Sequence, residues 1–422
     1  MAPLRRYVLR ARSFLGLERN IVVMMAAGLL QGFGLALWSG YFPRFLQELG
    51  ARGIVIGAFG TIGALLWIPL PYVGGVLSDR LGRAQTMVLA GLLAAAGYMV
   101  YMVAPIWWLL LPGLVLTTAA ASFGFMGSLA LTGDAVRSKR RATSMAARGL
   151  LGAIPGIVGP PLGGLLIVGM GLVRGVRAGL LVTVLLTLAA VWLQRRYYRL
   201  RRPATGKPGQ NFVWAWRAMP AALKDLLAAD CLLRFGSGMS AMFVVLYVVR
   251  ELKSTELHFG FLLSLATLVS TLLTLPVAKL SDRAGPRSRR PIVAATYFFF
   301  AAFPLALVII PSAKWLIPVF VISGLRHVGE PTRKALIIDL AEGPNRGRLI
   351  GAYHTIRGAV VLPAALIGGV LWEWRPAAPF FVGSAISILG LVWFLRSRPG
   401  RDAVHRRAQG GIVDRPHAPG TL

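Results

Sequence analysis

The sequence is poor in acid. It sets 15 Asp and Glu against 46 Lys and Arg, and charged residues make up only 14% of its 422 positions. A soluble domain carries about 25%. Cysteine is nearly missing too, with Cys231 alone. One cysteine excludes an internal disulfide and a cysteine metal cluster. Its neighbours Ala229, Leu232 and Leu233 predict a buried, inert thiol. There is no Walker A loop, no His-Glu-x-x-His and no nucleophile elbow, the usual marks of ATP hydrolysis, zinc catalysis and covalent catalysis. No enzymatic activity, metal or cofactor is expected. A cleavable signal peptide is not evident either. The first apolar run after the basic residues 1–19 is long enough to span a bilayer and stay.

What is present is mostly apolar. The chain is 56% hydrophobic, too much for one water-soluble core, so lipid is the natural solvent. A bilayer core needs about 20 apolar residues in a helix. That ruler predicts twelve spans, at roughly 20–43, 53–77, 85–104, 106–132, 146–169, 176–195, 226–250, 257–279, 291–311, 314–337, 350–372 and 377–395. The net charge of +31 raises nucleic acid as a partner. That reading needs the bases on one face of a folded domain, and here they fall in short clusters between apolar runs. With the N-terminus inside, 34 of the 46 bases lie in cytoplasmic segments and 8 in outer loops; Arg148, Arg234, Arg326 and Arg357 lie within spans. This bias predicts a multi-pass protein of the cell (inner or plasma) membrane with both termini cytoplasmic. Anionic lipid of the inner leaflet is the expected partner of the charge, and nucleic acid is not.

The chain reads as built twice. Leu-Ser-Asp-Arg-x-Gly occurs at Leu77–Gly82 and again at Leu280–Gly285, offset by 203 residues. A second echo runs from Asp134 through a basic loop to Arg148, and from Asp339 through another to Arg357.

Over about residues 20–395 these features resemble the major facilitator superfamily. Gly75, Asp79, Arg80, Gly82 and Arg83 fit its loop 2–3 signature, and Asp282 with Arg283 a weaker copy in loop 8–9. Gly159-Pro160-Pro161-Leu162-Gly163-Gly164 is similar to the span-5 signature of its antiporters, with Pro155 where that pattern has a glycine. The fourth-span arginine used in proton coupling is missing. Ala121 stands thirteen before Asp134, and Arg326 thirteen before Asp339. The resemblance implies an all-α membrane protein with twelve transmembrane helices in two pseudo-symmetric six-helix bundles. The parts are then a cytoplasmic N-tail 1–19, a first bundle 20–195, a cytoplasmic linker 196–225, a second bundle 226–395 and a disordered tail 396–422. Spans 1, 4, 7 and 10 line a cavity, spans 2, 5, 8 and 11 form the interface, and the bundles rock to give alternating access.

Candidate functional residues follow. The resemblance places Asp79 against the start of span 11, near Ile350 and Gly351, where a carboxylate clamps a positive helix terminus. The bland reading is a solvated loop acid. Inside the membrane, Asp230 and Arg234 are four apart and share a helix face, as do Arg326 and Glu330. Charges there are costly and should face water or each other. Glu330 and His327 are candidate proton carriers; the alternative is a network that only locks helices together. Arg148 and Arg357 are expected to pair with Asp134 and Asp339 or with loop acids of the other half. Gln31 and Trp38 of the first span, with Phe123, Met239 and Phe243, are expected to line the cavity. The first span holds no acid, so no ionisable proton site is expected in the first half.

The leading functional reading is a monomeric secondary transporter of a small molecule, with proton-coupled efflux of an amphipathic compound ahead of a sugar or metabolite symporter. A non-transporting receptor or scaffold and a lipid-substrate enzyme are the readings from other classes. The outer loops, with few acids beyond Glu48 and Glu251, speak against the enzyme. Asp79→Asn is expected to shift the balance toward the inward-open state. Unchanged transport together with unchanged inter-bundle distances would remove the clamp.

Overall fold

A computed structural model describes residues 19–135, 141–198, 216–283, 286–341 and 346–397. The N-tail before residue 19, most of the linker and the C-terminal tail lie outside it, as do the side chains of Asp79, Asp134, Arg148 and Asp282. The described residues are helical almost throughout, with no strand. The first half comprises α1 (Arg19–Trp38), α2 (Phe42–Glu48), α3 (Gly53–Leu66), α4 (Leu70–Leu81), α5 (Arg83–Val103), α6 (Leu110–Ala135), α7 (Arg141–Met170) and α8 (Leu172–Tyr197). The second comprises α9 (Ala221–Ala241), α10 (Glu256–Arg283), α11 (Pro286–Ile309), α12 (Leu316–Val328), α13 (Glu330–Leu340), α14 (Arg346–Val361), α15 (Ala364–Trp374) and α16 (Ala378–Arg396).

Ten helical stretches are long and apolar enough to cross a bilayer, and α9 with its continuation Val244–Glu251, bent by 43°, makes eleven. The twelfth expected span is α12 plus α13. It breaks at Gly329 because Pro331 follows and has no N–H to bond back to His327. Arg326, Glu330 and Arg333 also keep its hydropathy low. Elsewhere the punctuation is local. Gly82 ends α4 and opens α5 at φ +91°, a conformation only glycine adopts freely.

Within the first half α1 packs on α7 and α8, and α5 on α6 and α8. Within the second α16 packs on α9 and α11, and α12 on α10 and α11. The halves meet along two pairs, α7 on α10 and α3 on α15. Missing side chains permit this contact. A Cβ on Gly369 would lie 2.6 Å from the Gly53 carbonyl oxygen, and one on Gly164 would lie 2.7 Å from the Leu257 Cα. Gly57 sits against the Ala365 carbonyl in the same way. Such small-residue seams let backbones approach closely. Gly159 faces its own half instead, where a Cβ would lie 2.5 Å from that of Ala36 on α1.

The end holding residues 41–53 and 251–257, expected from the charge bias to be the outer one, is thus sealed. Among the described residues the opposite, basic end, holding Arg80, Arg83, Arg283 and Arg289, is parted. There α4 packs on α5 and α6, and α14 on α9 and α13, each within its own half. A Cβ on Gly75, Gly152 or Gly351 would meet nothing within 4 Å. Of the expected neighbours of the Asp79 loop, Ile350 packs on the core of its own half, and the Asp79 side chain lies outside the described residues.

Gly57→Val should wedge the outer seam, since overpacking costs about 1–3 kcal/mol. We expect the outer-closed fraction to fall about tenfold or more. Distances between spin labels at Ile106→Cys and Ile309→Cys, in a Cys231→Ser background, will read it. An unshifted distribution would show that the seam tolerates the side chain.

Candidate functional site

The chemistry concentrates in the second half. Asp230 on α9 is fully buried, with side-chain exposure of 0%. Its Oδ2 accepts from Arg333 of α13 at 2.6 Å, from Tyr353 of α14 at 3.0 Å and from Arg357 of α14 at 3.1 Å. One turn on, Arg234 approaches Asp230 Oδ1 at 3.7 Å and donates to Glu330. Glu330 also accepts from Arg333 at 2.7 Å. Two carboxylates thereby hold three guanidinium groups and tie α9, α13 and α14 together. Removing one partner of a buried pair costs about 3–5 kcal/mol, so this is the strongest tie among the described residues.

Arg326 at the end of α12 has another environment. Its guanidinium lies 4.4 Å from the Phe303 ring centre and 5.7 Å from that of Phe300. Arg234 lies 4.8 Å from the same Phe300 ring. The Nε of Arg326 is buried and, among the described residues, has no hydrogen-bond partner; the same holds for Arg234 Nε, Asp230 Oδ1 and the Tyr297 hydroxyl. Cation–π contacts supply about 0.5–2 kcal/mol. A buried charge costs several, so the rings alone do not compensate Arg326.

The first half offers a cavity whose wall, among the described residues, carries no charge. It encloses about 410 Å³ between α1, α5, α6, α7 and α8, with Met24, Met25, Met87, Ala121 and Gly152 in its wall. Gln31, Tyr98, Thr117, Thr187 and Gln194 supply its polar atoms. Both the cavity and the charged cluster lie toward the basic end of their halves. Uncharged walls with a few polar groups suit an apolar body that must be oriented.

The Major Facilitator Superfamily profile matches residues 24–228 and again 226–418, one copy per half. The chain belongs to that superfamily. An uncharacterized MFS-type transporter of Methanocaldococcus jannaschii is 21% identical to it over 379 residues, 88% of this chain and 93% of its own. The multidrug resistance protein MdtH of Proteus mirabilis is 23% identical over 357 residues, covering 83% and 84%. The crystal structure of a peptide transporter, POT, in complex with sulfate shares the fold, with a TM-score of 0.72 at 14% identity over 94% of this chain and 96% of that one. The protein is accordingly a multi-pass MFS transporter, and a small-molecule substrate follows.

Several expected placements in this MFS transporter need correction. Arg326 and Glu330 do not pair. The break at Gly329 removes the four-residue register, and Glu330 turns to Arg234 and Arg333. Arg357 joins Asp230 instead of Asp339, and Asp339 pairs with Arg289 of α11. Trp38 does not line the cavity. It is 4% exposed and packs edge-on against Phe42, Tyr98 and Tyr101. Phe243 and Met239 are buried too, Phe243 stacked on Trp372. His327 is exposed, with the edge of its ring toward Phe300. Cys231 is buried and unpaired as expected.

Sequence reasoning missed Arg333, counted as a loop base, and Tyr353. It also missed the outer closure. Glu373 at the end of α15 accepts from the Gly53 N–H, the first of α3, at 2.6 Å. This puts a carboxylate on the positive end of a helix in the other half. Arg44 lies 3.3 Å from Glu48 and 3.9 Å from Glu256. The Tyr41 hydroxyl lies between the Pro160 carbonyl of its own half at 2.6 Å and the Glu256 carbonyl of the other half at 3.1 Å. Glu373 sits between Trp372 and Trp374, so an apolar scan runs over it.

Glu373→Ala should open the outer end. A charge-assisted bond is worth about 1.5–3 kcal/mol, so the outer-closed population should fall about tenfold or more. Glu373→Gln, which keeps an acceptor, should show a smaller loss. Outer-end spin-label distances that ignore both changes would rule out the lock.

Proposed function

We propose that this chain exports an amphipathic small molecule in exchange for protons, by alternating access between its two halves. The observation that carries this reading is the pairing of a sealed outer end with a parted basic end. An uncharged cavity and a titratable cluster lie in opposite halves toward the parted end. The basic end faces the cytoplasm, because positive segments stay on that side. Export fits the likeness to a multidrug resistance protein better than uptake does.

Glu330 is the proposed coupling carboxylate. Its side chain is 20% exposed, whereas Asp230 is at 0%, so water reaches the first and not the second. Protonating Glu330 removes the charge that holds Arg234 and Arg333, and α13 loosens from α9. Asp230 then keeps Arg333 and Arg357 in place while the proton is carried. His327, exposed beside the same cluster, is the proposed relay.

Proteoliposomes with an imposed pH gradient, loaded with a panel of dyes and metabolites, test the reading. Gradient-driven flux is expected for at least one amphipathic compound. Glu330→Gln should reduce that flux tenfold or more while gradient-free exchange persists. Coupled flux that survives the substitution would remove Glu330 from the role. Absence of any flux would favour a receptor or scaffold.

A further inference from the structure

We infer that Arg326 and Arg234 form a seat for an oxyanion, the carboxylate, sulfonate or phosphate head of the transported compound. The inference rests on the transporter reading above and specifies the polar end of its substrate.

The charge count is the first argument. The cluster holds four guanidinium groups, Arg234, Arg326, Arg333 and Arg357, against the carboxylates Asp230 and Glu330. With His327 and His354 neutral, two positive charges are in excess. Topology does not explain the surplus, because Arg234, Arg326 and Arg357 lie within spans, away from the loops where inner-leaflet lipid collects bases.

Geometry is the second. Arg333 and Arg357 are spent on Asp230 and Glu330. Arg326 has only aromatic rings, and it shares the Phe300 ring with Arg234. Two like charges are thus held on one buried ring, itself 2% exposed. The Arg326 Nε and the Tyr297 hydroxyl are buried without hydrogen-bond partners among the described residues, whereas Arg234 already faces Asp230 at 3.7 Å and donates to Glu330, so the unmet charge lies on Arg326. Tyr297 itself is at 0% exposure. An oxyanion supplies the missing acceptors and the missing negative charge together, and the guanidinium fork matches its oxygens. An ammonium head would enter a field already in positive excess. The site therefore selects amphipathic anions and rejects amphipathic cations.

The test uses fluorescent naphthalene amphiphiles with one common ring system. Their heads are carboxylate, sulfonate, phosphate monoester, carboxamide or trimethylammonium. Binding to the purified full chain is followed by thermal stabilisation and fluorescence, with no gradient, so that its outcome is independent of proton coupling. One or more anionic probes should bind at least tenfold tighter than the carboxamide, with the trimethylammonium probe weakest. The ranking among the three anionic heads identifies the preferred one. Arg326→Gln should abolish the anion preference while leaving carboxamide binding within twofold. Inorganic sulfate should compete with the anionic probes of the unmodified protein, which keeps the test decisive even if the variant does not fold. Equal binding of all heads would overturn the inference. So would saturation by sulfate or chloride that no amphiphile displaces, which would make this a structural counter-ion site. Loss of proton-driven flux with the anion preference intact would sink only the coupling proposal.

Discussion

The second half is assembled on the carboxylate of Asp230. One fully buried acid meets three residues from two helices that are distant in sequence, Arg333 of α13 and Tyr353 and Arg357 of α14, with Arg234 one turn away on its own helix. Arg333, at 3% exposure, is the arginine this acid keeps in the low-dielectric interior; Arg234 and Arg357 reach it from the edge of the cluster. Glu330 extends the same logic to the broken helix, anchoring α13 where Gly329 and Pro331 have interrupted the backbone ladder. Gly329 is forced for a further reason: a Cβ there would lie 3.2 Å from the Ile292 carbonyl oxygen of α11. The break and the charges support each other. The break turns Glu330 out of register with Arg326, and the arginines it meets hold the displaced segment.

The contacts between halves are of another kind. Among the described residues they consist of backbone approach at glycines, one carboxylate on a helix terminus, the hydroxyls of Tyr41, Thr61 and Ser264 on carbonyls of the other half, and an ion pair as long as 3.9 Å. Each is worth at most about 3 kcal/mol and can be exchanged with water or lipid. The costly buried charge pairs all lie within a single half. A rocking motion can therefore separate the seam without exposing Asp230 or breaking its pairs. Rigid bundles and a yielding seam follow from where the charges are placed.

Much of this was legible in the sequence, because hydropathy over a bilayer-length window reports the solvent of each helix directly. The duplicated Leu-Ser-Asp-Arg-x-Gly loop, the superfamily and the Asp230–Arg234 spacing were readable for the same reason: each depends on near neighbours in sequence. The partners of Arg357 and Arg333 were not. Their acid lies more than a hundred residues away, and a base neutralised at that distance looks like a loop base to any local count. Trp38 misled because an aromatic residue on a cavity-lining span can turn into the core, and rotation within a helix is set by packing. Glu373 was hidden by the tryptophans on either side.

The duplication itself shows how the halves have diverged. Ala121 and Arg326 stand at corresponding distances before Asp134 and Asp339. Ala121 lines the uncharged cavity of the first half, whereas Arg326 lies on Phe303 in the second. The same place in the repeat therefore presents a methyl group on one side and a guanidinium on the other. A symmetric pair of arginines would raise the surplus from two charges to three, and a symmetric pair of alanines would lower it to one and remove the arginine that lacks an acid. One wall without described charges in the first half and one charged wall in the second would complement the two ends of the amphipathic substrate proposed above. That arrangement needs only one of the two repeats to have kept its base.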